Sequence, residues 1–403
     1  MLTHRPYKHI LCIRPDNMGD VLMSGPAIRA LKNHFGARIT LLTSRAGSGI
    51  ASFMREIDNV IIADLPWIKT ENPCLPENYQ QLIAQLRSLN CDLAVIFTVY
   101  SQNPLPTALL CWQAGIGATL AYCRENPYGL LTHWVPDEEP YSQIHHQVKR
   151  DLDLAKHLGA AIDDDRLRVT VNQAARTPYL SNAGIAPDAP YIVLHPGVSE
   201  TKREYPLSLW IETANLLHKA IGLPIIITGA GKDETTAETI CAGTNCARAA
   251  NGLINLAGTT CTGAANGLIN LAGKLGMEAF ISILAGASLI ITVNTVTAHL
   301  AAAVGTPEIV LYALTNPQHT PWKNKSVVLP FSVNETLQSR NQVIRYVSAQ
   351  WKTKLPPPTP ETILQAARDL LKSHPGSPED PLPTHPAPKA AAAPAAGAAH
   401  ASE

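Results

Sequence analysis

Short apolar runs recur along the chain, each closed by a glycine- or proline-marked turn and followed by apolar residues spaced three and four apart. The runs 10–13, 39–43, 60–63 and 93–98 lack the strict polar alternation of a half-exposed strand and predict buried strands. Between them, Val21, Leu22, Ala27, Ile28, Leu31 and Phe35 predict a helix stopped at Gly36. Shorter helices are predicted near 49–55 and 79–89. Another spans 145–158, where Val148, Leu152, Leu154, Ala155 and Leu158 form a stripe. The polar, proline-containing segment 172–190 reads as a linker, after which the alternation resumes. Strands are predicted at 191–195, 225–228, 289–293 and 309–312, with helices beginning at Pro206, near Glu234, at 277 and at 298. Thr359-Pro360-Glu361 has the order of a cap, a first-turn proline and a first-turn acid, so 360–372 is predicted as the last helix.

Strands alternating with helices predict a parallel, doubly wound sheet, and the break at 172–190 predicts two such units. The expected fold class is α/β, with Rossmann-like domains at 1–180 and 190–350 whose loops face a shared cleft. At 403 residues the chain is long enough for two full cores. The segment AANGLINLAG occurs at 249–258 and again at 264–273. Two copies do not make a solenoid, and only one can take the sheet edge. The second is expected there, because Lys274 and a helix follow it directly; the first is expected to be an extra loop. Residues 374–403 hold seven prolines and ten alanines and are expected to be disordered.

Open α/β sheets bind ligands beyond the carboxyl ends of their strands, so the loops there are the candidates for chemistry. In YIVLHPGVSETKREY, residues 191–205, a strand breaks into a loop carrying Ser199, Thr201, Lys202 and Arg203, hydroxyls and cations suited to an anionic ligand. In the first half, Pro15-Asp16-Asn17-Met18-Gly19-Asp20 joins a strand to a helix amino terminus, a second place for an anion. This turn lacks GxGxxG, which disfavours a nicotinamide dehydrogenase. Asp20 has two readings on spacing alone: a first-turn carboxylate favoured by the helix dipole, or a general base at the lip of a cleft. Gly229-Ala230-Gly231 lets backbone approach a ligand, and Glu234 is a candidate acceptor for ribose hydroxyls; an ordinary strand-to-helix turn is the alternative. Thr295 or Thr297 is placed to cap the helix that follows, leaving amides for phosphate. His299 lies in its first turns, as a cleft residue or a structural histidine. The segment 315–322, TNPQHTPW, reads as a rigid polar loop at a strand end.

Composition narrows the classes. The formal net charge is zero, so nothing argues for nucleic-acid binding by the whole molecule. Residues 1–55 nevertheless carry eight Lys/Arg against Asp16 and Asp20, either a solvated surface or a docking face for an anionic substrate or membrane. The eight cysteines show no CxxC pair or zinc-ligand spacing, which suggests free thiols in a reducing compartment. No secretory signal and no run of eighteen apolar residues is visible, so the expected location is cytoplasmic.

In order and spacing these pieces resemble glycosyltransferase family 9, the bacterial lipopolysaccharide heptosyltransferases, over roughly residues 8–372. The resemblance rests on RPDNMGDVLMSGPAIRALK (14–32), LHPGVSETKREYP (194–206), ITGAGKDE (227–234), NLAGK (270–274), NTVTAHLAAAVGTPEIVLY (294–312) and TNPQHTPW (315–322). It implies a GT-B architecture: an acceptor-binding first domain, a nucleotide-sugar-binding second domain, and a last helix, 360–372, that packs back on the first. It implies Asp20 as the base of an inverting transfer, with Asn17, Met18 and Gly19 as substrate contacts beside it. Ser199, Thr201 and Lys202 or Arg203 match the loop that neutralises the departing diphosphate. Asn294, Thr295, Val296, Thr297 and His299 match the donor-contacting helix start, although heptosyltransferases usually have aspartate at the first of these positions and glycine at the third. The implied donor is ADP-heptose-like and the implied acceptor a lipopolysaccharide core or other glycan. Peripheral association with the cytoplasmic face of the inner membrane is also implied, and no metal or cofactor. A GT-B-like sugar-nucleotide epimerase and a non-catalytic nucleotide-sugar-binding protein are the alternatives.

Overall fold

The apolar runs become the strands of two parallel sheets in the computed structural model, which describes residues 7–70, 74–244, 267–334, 337, 339, 341–350 and 354–372. The first half runs β1 (His9–Arg14), α1 (Met18–Phe35), β2 (Arg38–Thr43), α2 (Arg45–Ala51), β3 (Asn59–Ile62) and α3 (Pro76–Ser88). It continues through β4 (Leu93–Ile96), α4 (Leu105–Gln113), β5 (Thr119–Cys123), β6 (His133–Pro136), α5 (Gln147–Lys156) and α6 (Thr177–Asn182). The second half runs β7 (Ile192–His195), α7 (Leu207–Ile221), β8 (Ile225–Ile227), α8 (Glu234–Gly243), β9 (Leu268–Asn270) and α9 (Met277–Gly286). It closes with β10 (Leu289–Val293), α10 (Val296–Val304), β11 (Glu308–Ala313), β12 (Ser326–Phe331), α11 (Gln342–Ser348) and α12 (Pro360–Lys372).

The strand orders are β3-β2-β1-β4-β5-β6 and β12-β11-β10-β7-β8-β9, with every pairing parallel. Helices cover both faces, which is why β1, β4, β7 and β10 carry almost no polar alternation. Gly36 ends α1 in the left-handed conformation at φ 60°, as its position predicted.

Several expectations shift. The second helix starts earlier than 49–55, because the Ser44 hydroxyl accepts the Gly47 N–H and fixes its start. The supposed linker 172–190 contains α6 and a 3₁₀ turn. The strands β5, β6 and β12 and the helices α4 and α11 were not anticipated. The edge strand β9 does come from the second copy of the repeat and pairs with β8. The first copy and residues 374–403 lie outside the described residues.

The last helix does not pack back on the first domain. Its apolar stripe, Ile363, Ala367 and Leu370, is buried with β7, β10 and β11 of the second. The helix lies along α7, and the Tyr205 hydroxyl donates to the Pro358 carbonyl just before it begins (2.6 Å). The small Ala366 and Ala367 let it sit close to that surface. Ile363→Ala should therefore destabilise the protein by about 2–5 kcal/mol, read by urea unfolding, whereas Arg368→Ala on the exposed face should stay within about 0.5 kcal/mol.

Candidate active site

Strand order reverses beside the first strand of each sheet: β1 is flanked by β2 and β4, β7 by β8 and β10. Such switch points leave a crevice at the strands' carboxyl ends. Here the two crevices face each other as one cavity of about 460 Å³, walled by Asn17–Asp20 from the first half and by His195, Ser199, Arg203, Asn294 and His299 among others from the second. Small-molecule sites span about 300–1,000 Å³. The amino termini of α1 and α10 meet across it. A Cβ on Gly19 would sit 3.0 Å from His299 Cδ2 and 3.6 Å from the Val296 Cα, so only glycine allows this approach without displacing the histidine.

The floor of the cavity is charged. Arg14, fully buried at the end of β1, pairs through Nε with Asp16 (3.0 Å) and through its Nη2 with Asp20 (3.1 Å). Burial raises the Asp16 carboxyl to about 6, the opposing pull of Arg14 notwithstanding, and Asp20 and Asp151 add to the rise. Burial also pushes Asp20 up, but Arg14 and His319 outweigh it and hold Asp20 below the ordinary carboxylate value. Asp20 is thus the carboxylate that stays ionised, and the one that lines the cavity. Behind it, Asp151 accepts hydrogen bonds from Ser24 (2.7 Å) and Gln147 (2.8 Å).

Across the cavity, the loop after β7 separates the two candidate cations. Residues 201–203 form a 3₁₀ turn. Arg203 lines the cavity and donates to the Asn294 carbonyl (3.1 Å). Lys202 turns away and pairs with Glu200 (3.2 Å), which Arg203 (3.1 Å) and Lys69 of the first half (3.4 Å) also reach. Ser199 lines the cavity; Thr201 is not among its walls. Glu234 lies against Gly273 instead of facing the ligand space, and the preceding residue, Asp233, lines the cavity. The Asp233 carboxylate fills the space above Gly197, where a Cβ would fall 2.3 Å from Oδ2.

Thr295 is the cap of α10: its hydroxyl accepts the Thr297 N–H (3.4 Å). Thr297 is buried off the cavity. His299 does line it, buried and held neutral, its pKa lowered to about 3 by burial and by His319. Asn294 borders the cavity, but its amide is committed. Nδ2 donates to the Ala313 carbonyl (3.1 Å) and the Thr315 hydroxyl (3.2 Å), and Oδ1 accepts the Ala313 N–H (3.1 Å).

The structure thus brings Asn17, Met18, Gly19, Asp20, Ser199, Arg203, Asn294, Thr295, Val296 and His299 to one cavity, and places Thr201, Lys202, Glu234 and Thr297 off its walls. Sequence reasoning missed Asp16, Lys232 and His319. Asp16 and Lys232 lie in the same strand-end loops as Asp20 and Glu234, where spacing alone does not distinguish one charged residue from the next. His319 gave no signal beyond its polar loop. Among the described residues, no group of three or more His, Cys, Asp or Glu side chains is arranged to hold a metal ion.

The sequence profile of glycosyltransferase family 9 (heptosyltransferase) matches residues 80–345. The fold is similar to that of a family 9 glycosyl transferase from Veillonella parvula (TM-score 0.68, 15% identity, covering 91% of this chain and 97% of that one). It is also similar to E. coli ADP-heptose lps heptosyltransferase II (0.64, 21%, 90% and 98%) and to E. coli heptosyltransferase WaaC with ADP-2-deoxy-2-fluoro heptose (0.60, 18%, 90% and 99%). No curated protein matches the sequence significantly.

The committed amide of Asn294 gives a direct test. In Asn294→Asp a carboxylate would face the Ala313 carbonyl with no proton to donate. Stability should fall by about 1–3 kcal/mol at neutral pH and recover in part in acid, where the protonated acid can donate; thermal unfolding across pH reads both.

Proposed function

The chain belongs to glycosyltransferase family 9, and from that premise we propose that it is an inverting transferase moving a heptose-like sugar from ADP-heptose to a lipopolysaccharide core or related glycan. The observation that carries the reading is the pairing of opposites across one cavity: an ionised Asp20 on the first half and the Arg203 guanidinium on the second. In this reading the first domain holds the acceptor and the second the nucleotide-sugar. Asp20 takes the proton of the acceptor hydroxyl. The oxygen then attacks the anomeric carbon from the face opposite the diphosphate, whose oxygen leaves with the bonding pair. Charge grows on that diphosphate as the bond breaks, and donors fixed in advance are worth most at that moment. Arg203, Lys232 and the first amides of α10 supply them, and on this account the transfer proceeds without a metal.

His195 packs against Phe280 with ring centroids 5.4 Å apart, and Leu275 and Met277 extend this wall, an apolar surface for a purine. No helix among the described residues is long and apolar enough to cross a membrane. Arg14 and Arg29 are buried, but Lys8, Arg38, Arg45 and Arg55 are exposed on the first half. These cations support, for the same reading, an anionic acceptor approached at the cytoplasmic membrane surface.

Calorimetry with ADP-, UDP- and GDP-sugars comes first, and the ADP-sugar should bind most tightly; preference for another nucleotide would discard ADP-heptose while leaving a transferase. With ADP-heptose and a lipopolysaccharide core acceptor, Asp20→Asn should lower kcat by about 10²–10⁴-fold and leave donor affinity within about twofold. A matching collapse of donor binding would contradict its role as base. Arg203→Ala should weaken ADP binding by about 10- to 100-fold, and Lys202→Ala by clearly less, because Arg203 lines the cavity and Lys202 does not.

A further inference from the structure

The base of the proposed transfer shares its counter-ion. Arg14 is forked: Nε faces Asp16 Oδ2 (3.0 Å), while Nη2 reaches Asp20 Oδ1 (3.1 Å). Of the two carboxylates, Asp20 lines the cavity and Asp16 stands behind its wall. A guanidinium pairs more strongly with one carboxylate than when divided between two, and a carboxylate held so firmly is a poorer base. Asp16 is the group that divides it.

Asp16 is fixed from both sides. Thr43 Oγ1 donates to the Arg14 carbonyl (2.8 Å) and Ser44 Oγ to the Asp16 carbonyl (2.7 Å), which pins the turn to the end of β2. Gly47 packs so close that a Cβ there would fall 2.6 Å from the Asp16 carbonyl. From the loop after β4, Gln102 accepts the Val99 N–H through Oε1 (3.1 Å), which turns its Nε2 to Asp16 Oδ1 (2.7 Å). Each Asp16 oxygen thus has its own partner. The charged and titratable groups facing Asp16 are Arg14 from β1, Asp20 from α1 and Asp151 from α5. Asp20 faces Arg14 and Asp16 and, from the second half, His319 and His299. Burial keeps those two histidines neutral, lowered to about 4 and about 3, so they change no charge near neutrality. Asp16, at about 6, does.

We propose that Asp16 is a positioning residue that divides Arg14 with Asp20 and so leaves Asp20 basic enough to take the acceptor's proton. The proposal rests on the reading of Asp20 as the base. Asp16 itself exchanges no proton with the acceptor. Above its own titration it is a carboxylate and holds one side of the guanidinium. As the pH falls it takes a proton from water, and Arg14 then acts on Asp20 alone. The rate drops while Asp20 is still ionised, so the acid side of the pH–rate profile reports Asp16.

The first test needs no sugar. In the full chain labelled at aspartate, the Asp16 carboxyl signal is identified by its loss in Asp16→Asn and should titrate at about 6 by NMR. In Asp20→Asn its pKa should fall, because a like charge is gone and Arg14 serves Asp16 alone; an unchanged titration would overturn the sharing. The second test is turnover across pH with ADP-heptose and a lipopolysaccharide core acceptor. Asp16→Asn should lower the plateau kcat by about 10-fold, less than the loss for a direct base, and move the acid limb to lower pH, with ADP affinity within about twofold. Gln102→Met keeps both carboxylates and the guanidinium, so it carries the test even where Asp16→Asn does not fold. It removes a donor that favours the Asp16 carboxylate, and the acid limb should move to higher pH. A limb unmoved in both variants belongs to another group, Asp151 included, and would overturn the proposal. Rate and ADP binding lost together in Asp16→Asn, beside an unmoved limb in Gln102→Met, would make Asp16 merely structural. An active Asp20→Asn would instead remove the base reading on which the proposal stands.

Discussion

A guanidinium with no exposed surface sits at the end of the first strand, and the site is arranged around the cost of placing it there. Moving such an ion out of water costs several kcal/mol unless close partners replace the lost solvation. Arg14 has those partners in Asp16 and Asp20, which fixes the turn between β1 and α1 and aims Asp20 into the cavity. The same arrangement drives two carboxylates of one loop apart, with Asp16 raised to about 6 and Asp20 lowered. Environments that split neighbouring titrations in this way mark acid and base assignments. One buried charge therefore sets both the shape of the loop and its protonation.

The second dependence is on register between the halves. Each sheet supplies one wall of the cavity, and the walls correspond only because α1 and α10 approach amino end to amino end over Gly19. The loop 315–322 reinforces this. It belongs by sequence to the second domain, yet Gln318, Thr320 and Trp322 are hydrogen-bonded to the first. His146 is central to the arrangement. Burial holds it neutral, lowered to about 4, and only a neutral ring can accept the Val148 N–H while donating to Thr320. The domain boundary is thus a hydrogen-bonded seam that ends at His319 and Asp20.

Asn294 shows how a family resemblance and a structure answer different questions. The resemblance places a donor-contacting residue at this position, and the side chain does border the cavity. Its amide, however, is spent on β11 and Thr315, a role that needs both a donor and an acceptor. An aspartate cannot fill it while ionised. At this position the side chain is a strut between two strand ends.

The strand–helix alternation was legible in the sequence because strands of a parallel sheet are covered on both faces and so read as unbroken apolar runs. Gly36 was legible as a helix end because glycine takes the left-handed conformation without strain, and the second copy of the repeat as the sheet edge because a helix follows it directly. The loops that carry the chemistry were legible too, since the carboxyl ends of strands are the only open places in such a fold. Short or half-exposed elements such as β6 and α11 escaped, lacking a strong period. Side-chain destinations were the other thing the sequence could not settle. In a 3₁₀ turn, successive side chains point about 120° apart, so whether Lys202 or Arg203 faces the ligand depends on how the turn is seated against Glu200 and Asn294. The last helix offered an apolar stripe that fits either domain, and the surface of α7 decided. Asp20 and His319 are far apart in the chain and meet only because two domains fold and dock. Local pattern fixes which segments are strands and helices, since burial acts residue by residue. Which charges meet is decided by distances that exist only after the chain has closed on itself.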